Sequence, residues 1–211
     1  MKIALLGATG GTGQSFINQA VANGHKIKAL ARTPLKLPTI HPNLETQAGN
    51  VFNIPSMISL FRGCDAVVST FGISSIWQAR KPNGLYSVGG ENVLEAMKQS
   101  GVKRLVFVTS SGVEPQENDG LFFRYVFKPI FLERMYGDMR LVEKKIHESQ
   151  VDFTIVRPPY LTNGELTGAY RISSEGNFKD DKDLSRADLA HFLLKIVEKN
   201  SYVGEVVAIS Y

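Results

Sequence analysis

At 211 residues, 43% hydrophobic and 21% charged, the chain has the size and composition of one globular domain with room for a substantial core. Its formal charge of +4 and pI near 9.1 are a mild basic excess without runs of Lys or Arg, so no nucleic-acid partner is expected. No apolar stretch approaches the roughly 18 residues of a membrane span and no signal-peptide core precedes the first glycines, so the expectation is a cytoplasmic protein without a transmembrane segment.

In chain order, a strand at 2–6 runs into the glycine-rich stretch 7–13. A helix at 14–22 follows, with Phe16, Ile17, Ala20 and Val21 on one face and Gly24 placed to end it. Strands are expected at 26–31, 44–48 and 66–70, then a helix at 86–99 that ends at Gly101 and a strand at 104–109. Met135, Met139, Val142 and Ile146 are spaced to line one side of a further helix, and a strand at 152–156 comes after it. Ser185, with Asp188 three residues on, reads as the N-cap of a helix carrying Leu189, Phe192, Leu193, Ile196 and Val197; a strand at 205–209 closes the chain. The alternation specifies an α/β fold of Rossmann type: a doubly wound parallel sheet in a three-layer α/β/α sandwich. A single domain over 1–211 is expected, with a small substrate-side part at about 157–184. The single Cys64 excludes an intramolecular disulfide and reads as a small buried residue before a strand; four scattered histidines show no ligand spacing, so no metal site is expected.

Such folds bind ligands beyond the carboxyl ends of their strands, which directs attention to 7–13, 31–33, 49–51, 69–84, 109–115 and 157–164. Gly7, Gly10 and Gly13 stand three apart between a strand and a helix, interleaved with Thr9, Gly11 and Thr12. Glycine there permits positive φ and a close approach of backbone to a pyrophosphate, and the helix N-terminus offers free N–H groups to it. No Lys-Ser/Thr pair follows, so this is not a mononucleotide P-loop. NAD-binding units place an acid near the end of the second strand, whereas the first acidic residue of this chain is Glu45. Arg32 and Thr33 occupy the position instead, and a guanidinium can fork a 2′-phosphate that a carboxylate would repel, so NADP(H) is expected over NAD(H). From the other strand ends, Asn50 and Val51, then Ser69, Thr70, Phe71 and Gly72, then Thr109 and Ser110 are expected around the same cofactor.

The stretches "GATGGTG", "ALAR", "VVSTFG", "VFVTSSG" and "IVRPPYLTNGELTGAY" resemble the atypical short-chain dehydrogenase/reductase group of NAD(P)H-binding proteins, in particular its flavin reductase/biliverdin reductase B type. The resemblance covers nearly the whole chain. It implies an NADPH-dependent reductase, with Ser110 beside the nicotinamide and Pro158 and Pro159 lining it. A histidine follows those prolines in the flavin reductase, and Tyr160 stands there in this chain.

Short-chain dehydrogenases proper use a Tyr-x-x-x-Lys pair, in which the lysine lowers the tyrosine pKa. The nearest match is Tyr136 with Arg140, and an arginine can stabilise a tyrosinate but cannot relay a proton. Candidate catalytic residues are thus Ser110, Tyr160 and Tyr136. The altered pair favours a flavin- or quinone-like acceptor, FMN or FAD among them, which can take its proton from water. A non-catalytic NADP(H)-sensing regulator is the alternative; epimerase chemistry is disfavoured by the missing pair and by the lack of room for a sugar domain. The aromatic segment 120–137 holds eleven apolar or aromatic residues and reads as a core-facing helix, a lid, or a surface patch, with Pro129 placed to start a new helix. In 72–84, Trp77 with Arg80 and Lys81 would either hold an anionic aromatic ligand or form a loop with Trp77 tucked into the core. The expected partner is a small aromatic acceptor, and the expected state a monomer or homodimer.

Overall fold

The computed structural model describes residues 1–34, 37, 39–73, 75–114 and 129–211. Its strands are β1 (Lys2–Leu6), β2 (Lys26–Ala31), β3 (Leu44–Ala48), β4 (Ala66–Ser69), β5 (Arg104–Val108), β6 (Asp152–Arg157), β7 (Leu161–Thr162), β8 (Arg171–Ser173), β9 (Leu184–Ser185) and β10 (Glu205–Ser210). Its helices are α1 (Gly11–Ala22), α2 (Ile54–Phe61), α3 (Ile76–Ala79), α4 (Ser87–Ser100), α5 (Glu133–His147) and α6 (Arg186–Lys199). Each strand expected from sequence forms to within a residue at its ends.

An eight-stranded sheet runs β3-β2-β1-β4-β5-β6-β10-β8. The neighbours from β3 to β10 are parallel and β8 is antiparallel, with Ile172 opposite Ile209. The sheet is therefore mostly parallel rather than wholly so. Three residues of mixed character gave no period by which β8 could be read. Successive residues of β1 serve opposite faces. Ile3 and Leu5 join Phe16, Ile17, Leu189 and Leu193 of α1 and α6. Ala4 and Leu6 join Met57, Leu60, Val93, Met97 and Val142 of α2, α4 and α5. Two apolar cores on the two faces make the three layers of a single α/β domain.

The helix ends follow their expected chemistry. Gly101 closes α4 at φ +80°, and the Asp188 N–H donates to Ser185 Oγ at 2.9 Å to open α6. The eight-residue α2 escaped the period-based reading, although Asn53 caps it by accepting from the Ser56 N–H at 3.0 Å. Cys64 is buried, its thiol donating to Leu60 O, and burial pushes its pKa up. Among the described residues no helix is long and apolar enough to cross a membrane.

Candidate functional site

The chain turns from β1 to β2 on one side and reaches β4 on the other, so a crevice opens at the carboxyl ends of β1 and β4. Gly7, at φ +84°, begins the loop there, and a Cβ on it would run into the backbone of Thr70 and Phe71. A Cβ on Gly13 would lie 2.9 Å from Ala8 Cα and collide with Gly7 O. The Gly10 N–H donates to Gly7 O at 3.0 Å, and the Gln14 N–H donates to Gly10 O at 2.9 Å. The helix thus starts at Gly11, three residues earlier than expected. Its N-cap, Gly10, has no side chain, and the first turn carries no acidic residue. The N–H groups of Gly11, Thr12 and Gly13 therefore form a compact, positively polarised end suited to an anion.

From this end a cleft of about 570 Å³ extends over the carboxyl ends of β2 and β3. Gly7, Thr9, Gly10, Arg32, Asn50, Val51, Thr70, Phe71 and Gly72 of the candidate cofactor set all line it. Among the described residues that line it, Arg32 and Lys81 are cationic and none is acidic. Arg32 is exposed and makes no ion pair with a described residue. The corner beside it is fixed by its own bonds: Gly49 N–H to Ala31 O at 3.0 Å, Phe52 N–H to Asn50 Oδ1 at 2.8 Å and Asn92 Nδ2 to Val51 O at 3.1 Å. A glycine cradle at a helix N-terminus and a cleft with cations and no acid among its described lining residues fit a nicotinamide dinucleotide.

Family comparison agrees with that geometry: the profile of a family described as NAD(P)H-binding matches residues 7–200. The chain belongs to the NAD(P)H-binding family. The resemblance to atypical short-chain dehydrogenase/reductases is thereby borne out at family level. One relative is an uncharacterised sugar epimerase, YhfK of Bacillus subtilis (strain 168), 26% identical over 96% of this chain and 92% of that protein. Among solved structures, a wide-type short-chain dehydrogenase/reductase from Veillonella parvula DSM 2008, in complex with NADP, superposes with a TM-score of 0.83 at 15% identity, covering 100% of this chain and 94% of that one. A candidate NADH-flavin reductase from Streptococcus pneumoniae TIGR4 gives 0.77 at 23% identity, covering 100% and 99%. Both structures share the fold.

The cleft's further wall belongs to the strap 72–84, which the sequence offered as a candidate lid or a loop. Gln78, Lys81, Pro82 and Asn83 of this strap line the cleft, together with Phe52 and Leu85, which the sequence did not single out. Trp77 is 69% exposed and so lies outside the core. Its ring meets Phe131 edge-on at 6.5 Å, the Arg80 guanidinium lies 5.6 Å from the Phe131 ring centre, and Arg134 Nη1 donates to Arg80 O at 3.3 Å. Pro129 to Leu132 form a wide helical turn that leads into α5. The rest of the aromatic segment, 120–128, lies outside the described residues, as does 115–119.

Beneath the strap, Phe71 packs edge-on to Phe107 at 5.5 Å, and the Tyr86 hydroxyl accepts the Ile73 N–H at 3.3 Å. Burial pushes the Tyr86 phenol up to about 12. Asp138 of α5 accepts from the Tyr86 N–H at 2.8 Å and from the Ser87 N–H and hydroxyl, which seats the start of α4.

At the carboxyl ends of β5 and β6 the sequence-expected residues behave unequally. Ser110 is half-buried and extended, and its Oγ accepts the Gly112 N–H at 3.3 Å. The Ser111 N–H donates to Pro158 O at 2.9 Å, tying the two strand ends together. Pro158 and Pro159 are buried, whereas Tyr160 is 75% exposed. Ser69 is wholly buried behind the cleft, and Thr33 is exposed beyond it. Thr109 is buried, and its hydroxyl donates to Glu143 Oε1 at 2.6 Å. Arg157 Nε donates to the same oxygen at 3.1 Å, its Nη2 pairs with Glu143 Oε2, and Glu114 lies 3.3 Å away. Burial works against the Arg157 charge, but Glu143 and Glu114 outweigh it and hold the guanidinium above its usual pKa.

Tyr136 and Arg140 stand four residues apart on α5. The tyrosine is buried against Gly112, where a Cβ would lie 2.7 Å from its Cε1. Arg140 Nη1 donates to Val113 O at 3.1 Å, and Nη2 pairs with Glu133.

Proposed function

We propose that this chain is an NADPH-dependent reductase that delivers hydride to a flat, conjugated acceptor of flavin or quinone type. The observation that supports the cofactor half is the cleft itself: Arg32 at the end of β2 and Lys81 on the facing strap, with no ion pair to Arg32 and no lining carboxylate among the described residues. A ribose 2′-phosphate is favoured by that field, whereas an unphosphorylated ribose would find no acid to accept its hydroxyls. The amides of Gly11, Thr12 and Gly13 would receive the pyrophosphate, with Gly7, Thr9 and Gly10 making room for it. Asn50, Val51, Thr70, Phe71 and Gly72 would line the adenosine side. Ser110, Pro158 and Pro159 would border the nicotinamide, with Ser110 touching its carboxamide or orienting the acceptor.

The bound cofactor supplies a hydride. An acceptor with a delocalised ring spreads the resulting charge and draws its proton from water, so orientation in a dry cleft is the main demand on the protein. The arrangement of α5 favours such an acceptor. Tyr136 is packed under Gly112, and Arg140 is spent on Val113 and Glu133, so neither is set to protonate an alkoxide. Tyr160, exposed at the rim, offers an aromatic face to an incoming ring. The shared fold with a candidate NADH-flavin reductase is consistent with this chemistry. The buried, free Cys64 goes with residence in the reducing cytoplasm.

The test follows NADPH absorbance against FMN, FAD, riboflavin and a series of quinones, with sugar nucleotides and simple ketones as controls and each repeated with NADH. Turnover is expected with conjugated acceptors and NADPH. Turnover confined to ketones overturns the acceptor class, and tight NADPH binding without turnover of any acceptor replaces the enzyme with a sensor.

A further inference from the structure

We propose that Arg186, the first residue of α6, is a pyrophosphate-binding residue whose arm occupies the space a side chain at residue 11 would fill. The proposal rests on the dinucleotide reading above and adds a ligand-binding group from the far end of the chain.

Gly11 begins α1, and its φ lies outside the positive range that favours glycine, so backbone conformation does not call for glycine there. What does is close approach. A Cβ on Gly11 would lie 2.6 Å from Arg186 Cδ and 3.2 Å from its Nε. The arginine stem therefore lies on the bare Cα of the helix's first residue, beside the free first-turn amides. Packing holds it there, because α1 and α6 share one core through Phe16, Ile17, Leu189 and Leu193. Ser185 and Asp188 fix the start of α6, so the direction from which the arm emerges is set.

The head of this arm is not spent on a carboxylate. Nη1 donates to Asn163 Oδ1 at 2.7 Å, a neutral acceptor on an exposed residue of the substrate-side segment. Arg186 makes no ion pair with a described residue, and a guanidinium has five N–H donors. A half-exposed cation without an acidic partner, laid along the positive end of a helix, is destabilised by the like-signed field until an anion arrives. A pyrophosphate bound at Gly11, Thr12 and Gly13 relieves that repulsion and takes up the unused donors. Asn163 keeps the arm aimed in the meantime.

The experiment compares the unaltered protein with R186A, R186Q, G11A and the double variant G11A/R186A, by calorimetric titration with NADPH, NADH, ADP-ribose and adenosine 2′-monophosphate. R186A and R186Q should weaken NADPH, NADH and ADP-ribose alike, by about tenfold. Adenosine 2′-monophosphate, which has no pyrophosphate, should bind both as before. G11A should weaken the three pyrophosphate ligands by pushing the arm aside, yet add nothing once Arg186 is gone. Melting temperatures within a few degrees of the unaltered protein verify that all variants fold. If the unaltered protein binds none of the dinucleotides, the dinucleotide reading falls, and Arg186 with it. If it binds them and R186A binds them equally well, or if G11A and R186A are additive, the Arg186 assignment alone is overturned.

Discussion

The two halves of the candidate site, which the proposed function assigns to adenosine and to nicotinamide, are built by opposite means. At the ends of β1, β2 and β3 the shape comes from backbone: two glycines that admit no Cβ, a bare N-cap, and short turns bonded to themselves, with Arg32 left free over an open cleft. At the ends of β5 and β6 the shape comes from side chains far apart in sequence, where Thr109, Glu143 and Arg157 make one buried cluster with Glu114 at its edge. The first half leaves Arg32 without an ion pair to any described residue, and the second cancels its charge internally. Loss of a side chain should therefore weaken ligand binding in the first half and the fold itself in the second.

The largest effect should come from Glu143→Ala. It leaves the Arg157 guanidinium buried without its main partner and strips the Thr109 hydroxyl of its acceptor, at a cost of about 3–5 kcal/mol. For a domain of this length that lowers the melting temperature by about 10 °C. Adenosine 2′-monophosphate should still bind to the folded fraction, because nothing in the cleft over β2 and β3 touches Glu143. A variant that melts like the unaltered protein would remove the contrast between the halves.

Arg32→Ala tests the other side. Stability should hardly change, since Arg32 is exposed and unpaired with any described residue. The Kd for NADPH should rise by about tenfold or more while that for NADH stays within about twofold. Equal losses for the two cofactors would assign Arg32 to the adenine or the pyrophosphate instead of the 2′-phosphate.

The same contrast explains what was legible in sequence. Strands and the long helices carry periodic apolar residues, and the glycine loop and Arg32 are close neighbours along the chain, so pattern and position were enough to find the elements and much of the lining of the cleft. The buried cluster needed tertiary pairing. One local sign did exist: Glu143 follows Val142 on the stripe that Met139 and Ile146 share, and a charge on a core-facing stripe asks for a buried partner. Which partner it takes depends on β5 and β6 lying side by side, and no spacing reports that. Arg186 was hidden for the same reason, its role being set by α6 lying against α1. Tyr136 and Arg140 share a helix, as their spacing required, but Gly112 and Glu133 decide what each one does.

The smallest effect lies on the seam between the halves, at Tyr86. Its hydroxyl accepts the Ile73 N–H under the strap, and its phenol is raised from 10.0 to about 12 by burial, with Asp138 and Tyr136 adding to the rise. A folded pKa above the unfolded one means that the native state holds its proton where the unfolded chain has released it. Stability from this group is then complete below about pH 10 and falls as pH climbs towards about 12. Tyr86→Phe should cost about 1 kcal/mol at neutral pH, since the Ile73 N–H loses its acceptor. That deficit should shrink between about pH 10 and 12, because the phenylalanine has no proton to lose. Chemical denaturation at pH 7, 10 and 11 measures both effects. A deficit that stays constant with pH would mean that the phenol titrates normally and that water reaches beneath the strap. The seam would then belong with the open adenosine half, and the closed region would begin only at Thr109.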